Sequence, residues 1–274
     1  MFTGIADRFI HVIYDTPAKP VFMKNIHVTT RYGEIDFARG IAILMMVIFH
    51  TVFDLSFFGI VPFSVYTGFW RIFAISTAFL FVFLVGVSFS VSAANAEKKL
   101  SRRDFVLKYF FRGLMIFGIG LFITLVTWLY LGNGFIIFGI LHLIGISIIL
   151  SVFFLRFNLF NLISGTAIII AGIIIQWYHG PVWLLWAGIH PESFYSVDYT
   201  PLLPWFGVVL IGIYTGKKLY PGGIRAYTSR IVQHLDSNAV SFLGRHSLLI
   251  YILHQPLIIL VIRIITGAAI FPVS

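Results

Sequence analysis

The chain alternates long apolar runs with short polar breaks. Read against the roughly 20 apolar residues that a membrane span needs, the runs predict helices over about 36–57, 70–93, 109–130, 135–155, 159–177, 199–216 and 246–268. The breaks carry turn chemistry. Gly132-Asn133-Gly134 reads as a tight turn, and Pro221-Gly222-Gly223 opens a polar connection that continues to 245. The segment 178–198, with Pro181, Trp183, Trp186, Pro191 and Glu192, is aromatic and irregular, and it could re-enter the membrane as an eighth element. Because the apolar runs are continuous rather than alternating, an outer-membrane barrel is excluded. The expected fold class is therefore all-α: a polytopic transmembrane helical bundle of about seven spans over 32–274. Residues 1–31 form an N-terminal arm ahead of it. Asp7, Arg8, Asp15 and Lys19 interrupt the apolar residues of that arm, so it lacks the core of a signal peptide.

Composition sharpens this picture. Of 274 residues, 59% are hydrophobic and only 11% are charged, too little polar surface to coat a core in water. Cysteine is absent, which removes disulfides, thiolate nucleophiles and Cys-based metal centres. The formal charge of +9 could suggest nucleic acid, but its placement argues otherwise. Lys and Arg number four in 1–31, six in 98–112 and five in 217–245, while 54–69, 131–134 and 177–198 have none. That alternation is the positive-inside pattern. It predicts a multi-pass protein of the cytoplasmic membrane, with the N-terminus and the basic loops cytoplasmic and 178–198 external. No nucleic-acid partner is expected; the bilayer is the partner.

In such a chain the chemistry lies with ionisable residues inside the spans, each costly unless paired or hydrated. The first run holds Asp36, Arg39, His50 and Asp54. At about 100° per residue, the steps between them return to within about 40° of whole turns, so all four share one stripe. Arg39 and His50 are then about 16 Å apart along the axis. The i, i+4 spacing of His50 and Asp54 lets the carboxylate orient the ring. Each residue alone has a bland reading: Arg39 snorkelling to the interface, His50 bonding a neighbouring helix. Four costly residues on one face favour a lined cavity.

Two more histidines fall within spans. His142 lies in GFIIFGILHLIGIS, with Gly139 and Gly145 allowing close helix approach, and His254 lies in FLGRHSLLIYILHQPL beside Pro256. Both are candidates to join His50, and either could steady an oxyanion. No His-x-x-x-His pair lies within a helix, so no metal is expected. The basic residues Lys98, Lys99, Arg102, Arg103, Lys108 and Arg112 anchor the second connection, and could also hold phosphates.

Arg39 followed by ten residues and His50 resembles the first helix of the integral-membrane acyltransferases of acyltransferase family three. The fuller string EIDFARGIAILMMVIFHTVFDLSFFG is closer to a sister group, the bacterial and archaeal membrane proteins related to heparan-α-glucosaminide N-acetyltransferase. GILHLIGIS, DYTPLLPWFGVVLIGIYTGK and FLGRHSLLIYILHQPL extend the likeness over about 31–262. The resemblance implies an acyltransferase that takes an acyl group from cytoplasmic acyl-CoA, usually acetyl-CoA, and passes it to a sugar hydroxyl or amine on the far side. His50 would then be the base that takes the acceptor's proton, oriented by Asp54; a covalent acyl-histidine competes with that role. Arg39, with some of Lys98, Lys99, Arg102 and Arg103, would hold the donor's phosphates. Human-type members are longer, with a luminal domain, so specificity for heparan glucosamine does not carry over. The rival class is a proton-coupled transporter or flippase using the same His and Asp as a relay, against which the lack of internal repeats argues. A homodimer is left open.

Overall fold

Helices form where the apolar runs lie, and turn or capping residues such as Ser101, Gly132, Gly139, Asn158, Pro201 and Gly267 stand at several of their limits. The computed structural model describes residues 31–227 and 238–267. Eight α-helices are seen there: α1 Gly33–Phe57, α2 Gly68–Glu97, α3 Arg102–Leu131, α4 Ile140–Phe154, α5 Leu159–Ile175, α6 Leu202–Leu219, α7 Ala239–Arg245 and α8 Ser247–Thr266. Seven of them occupy the seven predicted runs, and α7 is an additional short helix. Among the described residues no strand forms. The aromatic segment between α5 and α6 holds a 3-10 helix, Val182–Ala187, and one parallel bridge between His179 and His190. Almost all of the predicted N-terminal arm lies outside the described residues.

Among the described residues, five helices are long and apolar enough to cross a membrane, namely α1, α2, α3, α6 and α8. With 15 and 17 residues, α4 and α5 are shorter than the predicted runs. At about 1.5 Å per residue, α4 reaches about 22 Å, less than the ~30 Å hydrocarbon core. Its start is displaced from 135 to 140 because the preceding residues are spent on a turn. Gly132 and Gly134 take φ of 67° and 77°, a region that costs other residues, and Gly139 is the N-cap. The protein is an all-α, multi-helix membrane protein.

The chain divides into two compact units. One comprises α1, the first part of α2, α7 and α8; the other runs from Phe81 into the connection after α6. In the first unit, α7 packs along the N-terminal half of α1. Glycine permits this approach: a Cβ on Gly244 would strike the Asp36 carbonyl, and one on Gly40 the Val240 carbonyl. Further along α1, α8 covers the half that carries His50 and Asp54.

In the second unit, small residues again set the contacts, as they do where lipid supplies no hydrophobic drive between helices. Antiparallel α3 and α4 touch backbone to backbone, with Gly113 and Gly145 each facing the other's carbonyl. Antiparallel α5 and α6 meet in the same way at Gly165 and Gly207. These pairings place Arg102 and Arg103 at one end with Arg156, Lys217 and Lys218. The other end carries exposed Trp128, Trp177, Tyr178 and Trp183. Cations at one end and aromatic rings at the other suit a unit seated in a bilayer.

Candidate active site

Acidic Glu34 and Asp36 fall in the first turn of α1, where the helix dipole favours them. Asp36 is buried and accepts a hydrogen bond from Arg39 at 2.8 Å. The contact holds Arg39 on the polar face of α1. The exposed residues Ile41, Leu44 and Ile48 lie on the other side of α1, so the polar stripe faces α7 and α8 rather than the surface.

Three turns on, His50, Asp54, His254 and Gln255 come together. The rings of His50 and His254 lie 4.8 Å apart, edge to face. Gln255 Nε2 donates to Asp54 Oδ1 at 2.7 Å. Asp54 is almost fully buried, at 2% exposure, and His254 is buried as well. Phe49 and Phe53 set their edges against His50, and Tyr66 closes on Phe53. Four side-chain atoms in this cluster are buried without any hydrogen-bond partner: His50 Nδ1, Asp54 Oδ2, His254 Nε2 and Gln255 Oε1. One tautomer follows directly. His254 Nδ1 lies 2.6 Å from the Tyr251 carbonyl, which can only accept, so Nδ1 carries the hydrogen and the neutral ring presents a lone pair at Nε2. A neutral His254 therefore offers an acceptor, not the donor an oxyanion would need. Asp54 shares the face of His50 as the spacing predicts, yet its bonded oxygen is taken by Gln255. No hydrogen bond joins it to His50.

His142 belongs to the second unit and closes the start of α4. The Gly139 N–H donates to its Nδ1 at 3.2 Å, Thr124 Oγ1 lies 3.5 Å from Nε2, and Phe117 and Phe138 pack on the ring. Asp198 accepts from the Ile140 N–H beside it, and burial pushes its carboxyl up to about 6. The neighbouring Tyr199 hydroxyl donates to the Leu185 carbonyl, and burial raises it to about 12.

The basic residues proposed for phosphates, Lys98, Lys99, Arg102 and Arg103, sit around the start of α3. Ser101 caps that helix through the Asp104 N–H. Lys98 Nζ donates to the Gly222 carbonyl at 2.7 Å, while Arg102 and Arg103 are exposed in the first turn. No cluster of three or more His, Asp or Glu able to hold a metal occurs among the described residues.

The family model described as heparan-alpha-glucosaminide N-acetyltransferase, catalytic, matches residues 31–256, well over half of the chain. The chain belongs to this family. It is a membrane protein of an acetyltransferase family, as the sequence resemblance implies. Comparison with curated proteins and with solved structures found no match.

Gln255 is the member of the cluster that sequence reasoning missed. The signal was available: an amide inside an apolar run is costly and needs a partner. Asn161 was missed too. It is fully buried and donates to the Phe154 and Phe157 carbonyls, closing the turn between α4 and α5.

Proposed function

We propose that the chain is an integral-membrane acyltransferase that moves an acyl group, acetyl foremost, from cytoplasmic acyl-CoA to a sugar hydroxyl or amine at the external side. His50 acts as the general base. One observation carries the reading: the four partnerless polar atoms around His50 and Asp54. Leaving such atoms unsatisfied costs about 1–3 kcal/mol each, a cost tolerated where a substrate completes them. Three of them, Asp54 Oδ2, His254 Nε2 and Gln255 Oε1, are acceptors, which suits a hydroxyl-rich acceptor that brings its own donors.

In the reaction, His50 takes the proton from the acceptor oxygen or nitrogen as that atom bonds to the thioester carbonyl carbon. Collapse of the tetrahedral intermediate breaks the C–S bond. The sulfur leaves and recovers the proton from His50, giving the acylated sugar and free coenzyme A. Asp54 and Gln255 are positioning residues that set the polarity around the ring. For the donor's phosphates we propose Arg39, whose planar fork suits them; Lys98, Lys99, Arg102 and Arg103 in the other unit are the second cationic set.

The test pairs acetyl-CoA calorimetry with transfer assays on purified protein. His50→Ala should bind coenzyme A as the wild type does and lose about 10²–10⁴-fold in turnover. Transfer within a few-fold of wild type would remove His50 as base. A wild type that neither binds nor consumes acetyl-CoA yet carries solute across vesicles would instead establish the transporter reading. Arg39→Ala with unchanged coenzyme A affinity would leave that arginine as an anchor for Asp36 alone.

A further inference from the structure

We infer that the second unit carries a binding site for an anionic phospholipid, with its phosphate held by Arg102 and Arg156. A cleft of about 310 Å³ opens between the start of α3 and the end of α4, lined by Arg102, Val106, Val152, Phe153, Arg156 and Phe157. Its two polar side chains are both guanidinium groups, and no carboxylate lines it. Neither arginine has an ion-pair or hydrogen-bond partner among the described residues. Arg102 also stands in the first turn of α3, where the helix dipole favours an anion over a cation, so a bound phosphate relieves both terms.

The frame around Arg156 is already satisfied without it. Lys217 donates to the carbonyls of Leu155 and Phe157, and Asn161 to those of Phe154 and Phe157. Arg156 is therefore not needed to close the turn that holds it and is left facing outward. The remaining walls decide between a water-borne anion and a lipid. Val106 and Phe157 are each 41% exposed and Phe153 is 69% exposed, all on helices or turns of a membrane-seated unit. Apolar side chains so exposed suit cover by acyl chains: Val106 stands one turn along α3 from Arg102, and Phe153 and Phe157 flank Arg156 at the end of α4. A diacyl phosphate matches both parts: its phosphate meets the fork of each arginine, and its chains cover the phenylalanines. A nucleotide would leave those walls bare.

The full chain, purified and stripped of lipid in detergent, can be titrated with phosphatidylglycerol, phosphatidylcholine, glycerol 3-phosphate and coenzyme A, with native mass spectrometry as the readout. Phosphatidylglycerol should be retained over phosphatidylcholine. Arg156→Gln should lower that retention about tenfold, the loss of one charge-assisted contact, with Arg156→Lys between the two. Glycerol 3-phosphate should bind far more weakly than the lipid. The proposal is overturned by unchanged phosphatidylglycerol retention in Arg156→Gln, by glycerol 3-phosphate binding as tightly as the lipid, or by coenzyme A affinity falling in that variant while lipid retention holds. Lipid retention in His50→Ala should match the wild type, so this site can fail or stand independently of acyl transfer.

Discussion

Asp54 holds one oxygen against Gln255 and leaves the other without a partner. Loss of the Gln255 amide removes a hydrogen bond to a buried carboxyl, worth about 1.5–3 kcal/mol if the carboxyl is ionised. Gln255→Leu should therefore lower kcat by about 10–100-fold while leaving the KM for acetyl-CoA close to wild type. A rise in KM with unchanged kcat would make Gln255 a packing residue. Asp54→Asn, which keeps the shape and one acceptor, should be impaired less than His50→Ala. The sequence could place His50 and Asp54 on one face because helical period alone decides that. It could not say which group takes the lone pairs of Asp54, since Gln255 stands 201 residues further along and arrives only through packing. His254 was legible as a candidate, but its tautomer depends on the Tyr251 carbonyl and became readable only with the structure.

Helix ends and helix contacts set the next scale. Asp198 receives the Ile140 N–H at the start of α4, and its carboxyl stands at about 6 against an ordinary 3.8. For an acid raised on folding, the stabilisation is fully present below the unfolded value and is lost as pH rises through the folded value. Wild-type thermal stability should accordingly fall, through this group, between about pH 4 and pH 6. Asp198→Asn should be flatter over that range, so the difference in Tm between variant and wild type should grow in the variant's favour toward pH 7.5. An unchanging difference would remove Asp198 as the source. Gly145 was legible as a point of close approach, and the structure sets it against the Gly113 carbonyl, where a Cβ would come within 2.7 Å. Gly145→Val should destabilise the protein by about 1–3 kcal/mol or more in detergent unfolding. Gly139 was read in the same way, but its near neighbour is the Asp198 carboxylate rather than a crossing helix. A glycine in an apolar run announces a tight contact; its partner comes from the tertiary fold.

At the scale of the whole molecule, the order of the apolar helices was legible because continuous apolar length is a property of the chain itself. The shortness of α4 and the presence of α7 were less so, since each rests on where a turn closes. The Lys and Arg alternation carries the remaining prediction. Basic residues cluster in 98–112 and 217–245 and are missing from 177–198. In the second unit, pairing α3 with α4 and α5 with α6 brings the described basic residues to one end and the exposed Trp128, Trp177 and Trp183 to the other. Charge bias of this kind fixes orientation by keeping basic ends on the cytoplasmic side. The chain has no native cysteine, so single cysteines report without background. In intact cells, an impermeant maleimide should label Ser193→Cys and leave Lys99→Cys and Ala226→Cys unlabelled until the membrane is permeabilised. In that expected orientation Arg102 and Arg156 would face the inner leaflet, where anionic lipid is available to them. Labelling of Lys99→Cys from outside would reverse the unit in the membrane. It would also put the proposed donor and acceptor on the wrong sides, so this measurement bears on the direction of acyl transfer as well as on topology.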